Sequence, residues 1–406
     1  MAVGSGVLPE LHPVAGFKIG IASAGIKKPG RLDLVLMEIA PGSATAAVFT
    51  KNAFCAAPVQ LARKHLAAMQ PSYLVTNTGN ANAGTGEPGM LNAVKTCQAL
   101  AALTQQNAAA ILPFSTGVIG EPLPVDKIVQ ALPAAIADLS ADNWLRAAQG
   151  IMTTDTRPKA TSRQIQLDGK LVTITGISKG AGMIKPNMAT MLGYVATDAA
   201  VAPALLQQII ERVVNRSFNR ITIDGDTSTN DSCVLVATAQ AQNAVIDSEL
   251  HPLFNKFYAA VESVFIELAQ AIIRDGEGAT KFVAVAVNGG MTETECVQVA
   301  YAVAESPLVK TALFASDPNW GRILAAIGRA GVADLDVSKI HLTINGVTIA
   351  ERGGRSPAYT EQQGAVAMAQ EEIIIAIELG RGDASTTVWT TDFSHEYVTI
   401  NAEYRT

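Results

Sequence analysis

Residues 163–176 read RQIQLDGKLVTITG. Side chains alternate in character on both sides of Asp168-Gly169, and a two-residue loop of this kind between alternating segments is typical of a β-hairpin. Residues 339–350, KIHLTINGVTIA, repeat the pattern around Asn345-Gly346. These two stretches predict antiparallel strand pairs.

The segments around the hairpins add strands and helices. Residues 34–39 and 73–75 are short apolar runs that predict strands. Helical periodicity is present in residues 91–103, in residues 125–139, along Leu205, Ile209 and Val213 up to Arg216, and in residues 254–273. Short strands, hairpins and amphipathic helices together favour an α+β fold in which antiparallel sheets are covered by helices.

The composition is that of a folded protein. The chain has 406 residues, of which 49% are hydrophobic and 16% charged, and its net charge is −6. This charge argues against binding to nucleic acid. No apolar run approaches the ~20 residues of a membrane span, and no leader is recognisable, so we expect a cytoplasmic protein without a membrane partner. The four cysteines form no CxxC pair and are expected to be reduced.

Several common types of functional site are excluded because their sequence motifs are absent. There is no phosphate-binding loop, no HExxH and no GxSxG, and the five histidines share no motif. Residues 224–231, DGDTSTND, resemble a calcium loop, but Thr229 stands where glycine is needed and Leu235 where the bidentate glutamate is needed. We therefore expect neither a metal site nor a cofactor.

Polar loops rich in glycine and threonine, in a chain poor in histidine, favour a nucleophile that is activated without an imidazole. A threonine at a chain N-terminus can use its own α-amino group as the base. The reference pKa of that group, ~8, suits proton transfer near neutral pH. Such a threonine must be exposed by cutting the chain.

Residues 179–192, KGAGMIKPNMATML, resemble the self-cleavage signature of the ornithine acetyltransferase family, also called glutamate N-acetyltransferases. Further blocks that resemble this family follow its order along essentially the whole chain. They are VFTKNAFCAAPV (48–59), NTGNANAGTG (77–86), STGVIG (115–120), MTTDT (152–156), TIDGDTSTND (222–231), DGEGATK (275–281), SDPNWGRILAAIGRAG (316–331) and INAEYRT (400–406).

The resemblance implies a particular fold and a cleavage. The fold would be a helix-sheet-sheet-helix sandwich similar to that of N-terminal nucleophile hydrolases, with a topology of the family's own. The chain would cut itself between Ala189 and Thr190. Residues 1–189 and 190–406 would then remain interwoven as one catalytic unit, and two such units would pair.

The resemblance also implies the chemistry. An acetyl group would move from N2-acetylornithine to glutamate through acetyl-Thr190, in a ping-pong sequence that needs no cofactor and has only small-molecule substrates. Thr116 and Gly117 correspond to the family's oxyanion hole. The matched substrate-binding positions, besides Thr190 itself, are Thr153, Lys179, Glu277, Asn401 and Thr406.

Three questions remain open at the level of sequence. An N-terminal nucleophile amidohydrolase or aminopeptidase would use water as the acceptor in place of glutamate. A self-cleaving binding protein would cut once and never turn over. Within the family itself, some enzymes also accept acetyl-CoA as a second donor, and no residue of this chain decides that point.

Overall fold

The computed structural model describes residues 2–185 and 191–403. The strands of these residues are β1 (Phe17–Ala22), β2 (Leu34–Ile39), β3 (Ala44–Phe49), β4 (Tyr73–Asn80), β5 (Ile111–Val118), β6 (Lys159–Leu167), β7 (Lys170–Lys179), β8 (Leu192–Thr197), β9 (Ser232–Ala237), β10 (Phe282–Gly290), β11 (His341–Ile344), β12 (Val347–Glu351), β13 (Gly354–Arg355), β14 (Glu372–Glu378) and β15 (Ala384–Thr391). The α-helices are α1 (Ala57–Ala68), α2 (Gly86–Thr104), α3 (Val125–Ala137), α4 (Trp144–Gly150), α5 (Pro203–Arg216), α6 (Phe254–Arg274), α7 (Glu293–Ala304), α8 (Pro307–Phe314), α9 (Trp320–Gly328), α10 (Glu361–Met368) and α11 (His395–Ala402).

Two sheets face each other in the larger part of the fold. One has the strand order β1-β2-β4-β5 and the other β3-β9-β8-β7-β6. In β2, Val35 and Met37 belong to the core between the sheets, whereas Leu34 and Leu36 belong to the core on the outer face. Successive side chains of a strand point to opposite faces. The alternation along β2 therefore buries both faces of its sheet.

Helices cover the outer faces of this pair of sheets. Leu61 of α1, Leu100 of α2 and Leu132 of α3 share a core with the four-stranded sheet. Ile209 of α5 and Phe265 of α6 lie in the core on the outer face of the five-stranded sheet. The layer order is helix, sheet, sheet, helix, which confirms the predicted α+β sandwich.

Both predicted hairpins are present. Strands β6 and β7 pair antiparallel with Leu167 opposite Lys170. Between them Asp168 and Gly169 have φ values of 51° and 72°, the left-handed conformation that a tight Asp-Gly loop requires. The expectation of antiparallel sheets was incomplete, because β4–β5, β8–β9 and β10–β14 pair parallel. Long helical connections, such as α2 between β4 and β5, allow these crossovers.

A third sheet, which the sequence patterns did not separate from the sandwich, forms a unit with its own core. Its order is β13-β12-β11-β14-β10-β15. Apolar residues of α7, α9 and α10 pack on it, among them Val299, Ile323 and Met368. A chain of this length accommodates more than one such core.

Strands from both sides of the predicted cleavage position share one sheet. In the five-stranded sheet, β7 pairs with β8, and β3 pairs with β9. Residues 1–189 and 190–406 are therefore not separate structural units. The cleavage itself stays a prediction.

No helix within the described residues has the length and apolar character needed to cross a bilayer. The four cysteines are free, and Cys97, Cys233 and Cys296 are buried.

Candidate active site

A cavity of about 230 Å³ opens where the ends of several elements meet. Its lining includes the ends of β5 and β7, the start of β8, the loop before β9, the loop after α6 and residue Asn401 of α11. Six residues singled out from the sequence line it together: Thr116, Gly117, Thr153, Lys179, Glu277 and Asn401. Ala189, Thr190 and Thr406 lie outside the described residues.

Lys179 is the central cation of the cavity. It is the last residue of β7, is only 9% exposed, and its Nζ donates hydrogen bonds to Oγ1 of Thr116 at 3.1 Å and of Thr153 at 2.7 Å. Burial lowers the pKa of Lys179, and the negative charge of Asp155 opposes that effect. One ammonium group thus fixes two hydroxyl groups at the cavity wall.

Gly117 can be nothing other than glycine in this geometry. Its φ is 135°, and a Cβ built on it would lie 2.2 Å from the carbonyl carbon of Gly79, its partner on β4. The absence of a side chain at Gly117 therefore allows β5 to lie this close to β4. Thr116 and Gly117 also line the cavity, so the backbone at this end of β5 can reach an oxyanion there.

A buried ion network, which sequence reasoning missed, supports the loop at Gly180. Lys159 Nζ lies 2.6 Å from a carboxylate oxygen of Asp155 and 2.6 Å from one of Asp275. Asp155 also accepts a hydrogen bond from the Gly180 backbone at 2.8 Å. Burial acts to raise the pKa of Asp155, but the charges of Lys159 and Lys179 lower it overall. Asp155 and Asp275 stand in the quoted blocks MTTDT (152–156) and DGEGATK (275–281), but no motif connects them with Lys159.

Glu277 and Asn401 meet at the cavity wall. Asn401 Nδ2 donates to Oε2 of Glu277 at 2.8 Å, and the Glu277 backbone N–H donates to the Ala181 carbonyl at 2.8 Å. A Cβ on Gly182 would lie 2.4 Å from Oε2 of Glu277. The small residues of the sequence KGAGM therefore allow this carboxylate to approach the loop.

The loop 224–231, considered above as a calcium loop, holds protein backbone. Asp224 accepts hydrogen bonds from the N–H groups of Met183 at 2.6 Å and Ile184 at 2.8 Å. The Thr227 hydroxyl donates to the Lys185 carbonyl at 3.1 Å. The carboxylate of Asp224 is thus engaged with backbone N–H groups. No cluster of candidate metal ligands is found among the described residues.

The family model of ArgJ matches residues 18–406. The chain belongs to the ArgJ family. Over 406 residues, all of this chain and all of each relative, it is 65% identical to the arginine biosynthesis bifunctional proteins ArgJ of Pseudomonas syringae pv. tomato and of Pseudomonas fluorescens. A crystal structure of arginine biosynthesis bifunctional protein ArgJ from Bacillus halodurans is similar with a TM-score of 0.50 and 36% identity, over 52% of this chain and 97% of that one.

Proposed function

We propose that the protein is an acetyltransferase of arginine biosynthesis, which moves the acetyl group of N2-acetylornithine to glutamate and yields ornithine and N-acetylglutamate. The observation that carries this function is the cavity in which Lys179 holds the Thr116 hydroxyl beside Gly117, in a chain of the ArgJ family. Thr190 is the proposed nucleophile. It is covalently bonded to Met191, which lines the same cavity.

Self-cleavage prepares the nucleophile. The Thr190 hydroxyl attacks the Ala189 carbonyl, the acyl group moves from nitrogen to oxygen, and water hydrolyses the ester. The products are fragments of 189 residues and, since 406 − 189 = 217, of 217 residues. We propose that they stay together, that two of each assemble, and that the enzyme works in the cytoplasm.

The transfer then proceeds in two halves without a cofactor. The free amine of Thr190 takes the proton of its own hydroxyl, and the oxygen attacks the acetyl carbonyl. Thr116 and Gly117 stabilise the negative charge that develops on the carbonyl oxygen. The C–N bond of acetylornithine breaks and the nitrogen takes the proton, so that ornithine leaves. The glutamate amine attacks acetyl-Thr190 in the second half.

Charge and hydrogen bonding at the cavity fit amino-acid substrates. Lys179 suits an α-carboxylate, and Glu277 suits an ammonium group. Thr153, Asn401 and Thr406 complete the proposed binding positions with neutral hydrogen-bonding groups. Acetyl-CoA is proposed as a second donor, because the relatives are named bifunctional.

A steady-state assay with each donor, N2-acetylornithine or acetyl-CoA, in the presence and absence of glutamate tests the function. Transfer to glutamate is expected with parallel double-reciprocal lines, since ornithine departs before glutamate binds. Release of acetate at the same rate without glutamate would favour the amidohydrolase, and cleavage without any turnover would favour the binding protein. Membership of the ArgJ family favours neither alternative.

A further inference from the structure

A second cavity of about 230 Å³ adjoins the one described above. The two cavities share four lining residues, which are Gly117, Val118, Thr153 and Thr154. The second cavity is also lined by Lys27, Lys28 and Arg31, which belong to the loop between β1 and β2 and have no role in the function proposed above. We call this second cavity, with its three basic residues, the cationic groove.

The basic residues give the groove a positive charge. Lys27 and Lys28 are exposed, and Arg31 is half-buried. Among residues 2–185 and 191–403, none of the three forms an ion pair within 4.0 Å. The described lining contains one carboxylate, that of Glu403, beside these three cations. Positive charge is thus concentrated here in a chain whose net charge is −6.

A buried carboxylate fixes the backbone that carries these cations. Asp33 is 2% exposed, and its carboxylate accepts hydrogen bonds from the backbone N–H groups of Ala24 at 2.6 Å and Ile26 at 2.7 Å. Lys27 follows directly, and a Cβ on Gly79 would lie 3.2 Å from the Cβ of Lys27. The loop is therefore held against the end of β4, up to the first lysine.

Arg31 connects the groove to the first cavity. Its Nη2 donates to the carbonyl of Met152 at 2.6 Å and to that of Thr153 at 3.3 Å. The Thr153 hydroxyl accepts from Lys179 Nζ at 2.7 Å. The groove and the first cavity therefore share the Thr153 backbone as a wall. Because a guanidinium has N–H donors on all three nitrogens, these two bonds leave donors for a ligand.

Several neighbouring cations suit a ligand with several negative charges. Lysine and arginine are the usual partners of phosphate groups in proteins. N2-acetylornithine and glutamate carry no phosphate, whereas acetyl-CoA carries several, joined to its acetyl group by a long flexible arm. A donor of this kind needs one cavity for the acetyl group and a neighbouring cationic surface for the phosphates.

We infer that the cationic groove binds the phosphate groups of acetyl-CoA, while the acetyl group enters the cavity of Thr116 and Lys179. This inference rests on the function proposed above and assigns a binding site to the second donor. Since N2-acetylornithine has no phosphate, Lys27 and Lys28 act on acetyl-CoA alone. The two donors thus share one acetyl position and differ in their use of the groove.

The test changes the two exposed lysines together. Lys27→Ala with Lys28→Ala should lower kcat/KM for acetyl-CoA by ~10-fold or more, because two hydrogen-bonding cations are lost. The kcat/KM for N2-acetylornithine should keep its native value. Lys170→Ala with Lys256→Ala is the matched control, since it removes the same charge from two exposed lysines that line neither cavity. Arg31 is left unchanged because it also supports the Thr153 backbone.

Folding is checked by melting temperature and by the two fragments on denaturing gels. If the variant of Lys27 and Lys28 is not recovered folded, the native protein decides through its salt dependence. The KM for acetyl-CoA should rise more steeply with salt than the KM for N2-acetylornithine, because salt screens exposed charges. Equal salt dependence of the two KM values would contradict the inference.

The remaining outcomes overturn the inference in distinguishable ways. An unchanged kcat/KM for acetyl-CoA in the variant means that the groove does not hold the phosphates. Equal losses with both donors, or a raised KM for glutamate, mean that Lys27 and Lys28 act on a step that both donors share. A native protein that uses N2-acetylornithine but not acetyl-CoA refutes the groove and leaves transfer from N2-acetylornithine to glutamate intact. A native protein that uses neither donor refutes the proposed function itself.

Discussion

Lys159, near the cavity end of the sandwich, and Lys310, beside the six-stranded sheet, are both almost fully buried, but they have different partners. Lys159 is 1% exposed and lies between the carboxylates of Asp155 and Asp275. Lys310 is 0% exposed and makes no ion pair within 4.0 Å among the described residues. At Lys159, buried charge is compensated by charge.

Lys310 instead joins α8 to the end of β15 through neutral groups. Its Nζ donates to the Thr390 hydroxyl at 3.0 Å and to the Thr391 carbonyl, and lies 4.5 Å from the ring centroid of Phe393. These contacts stabilise the unit built on the six-stranded sheet. The charges around Lys159 lead through Asp155 to Gly180 and so to the cavity wall. The difference shows that burial of a lysine does not by itself indicate a functional site. Lys159 is connected to the cavity through Asp155, whereas the contacts of Lys310 stay at α8 and the end of β15.

The largest expected effect separates the two regions by function. Thr190→Ala should leave the chain whole and inactive, because the attacking hydroxyl is gone. Thr190→Ser should cleave and keep some activity. In the unit built on the six-stranded sheet, Thr360→Ala removes the hydroxyl that caps α10. This change should cost about 1 kcal/mol of stability without affecting cleavage. Gel analysis, N-terminal sequencing and thermal unfolding measure these outcomes, and a fragment that begins anywhere but Thr190 would refute the mechanism.

The next prediction tests the two lysines directly. Lys159→Met leaves Asp155 and Asp275 buried without their cation and should destabilise the protein by about 3–5 kcal/mol. Lys310→Met removes a cation that no carboxylate contacts and should cost less. Urea unfolding at neutral pH compares them. Equal losses would contradict the distinction drawn between the two regions.

The pH dependence of stability sharpens the same comparison. Burial lowers the pKa of Lys310 to about 7, against the opposing charges of Asp392, Asp224 and Glu305. The unfolded chain then binds more protons than the folded chain between this value and the usual lysine pKa of ~10.4, so the stability should rise with pH in that window. This contribution of Lys310 to stability should be lost as the pH falls towards 7. The contribution is absent in Lys310→Met, and parallel stability profiles for the two chains would refute it.

How far the sequence predicts this molecule depends on the range of each interaction. Asp168-Gly169 determined its hairpin locally, and the helical periodicity along Leu205 and Ile209 was confirmed in α5. The ion network of Lys159 was not foreseeable, because Asp275 lies 116 positions away in the chain. Residues brought to the cavity from separate loops were predicted through the family resemblance, since no periodic pattern connects them.

A smaller loss is expected at the oxyanion position. Thr116→Ala removes the hydroxyl that Lys179 holds, and the rate of acetyl transfer should fall by ~10²-fold or more while KM changes little. An oxyanion donor acts mainly in the transition state, so kcat carries the effect. Single-turnover acetylation, followed by mass spectrometry of the C-terminal fragment, measures it. A rise in KM with unchanged kcat would assign Thr116 to substrate binding.

The smallest predicted effect concerns the end of the chain, where residues are usually dispensable. Asn401 donates to Glu277, so Asn401→Ala frees that carboxylate to move and should raise KM several-fold by loosening the hold on the substrate. Deletion of Arg405 and Thr406 should act in the same direction. Cleavage involves no bound substrate, whereas transfer needs the substrate held in register, so both variants should still appear as two fragments. Val398→Ala, at an exposed position of the same helix, is the matched control. If the Asn401 variant and the truncated chain keep the native KM and kcat, the terminal residues do not bind substrate.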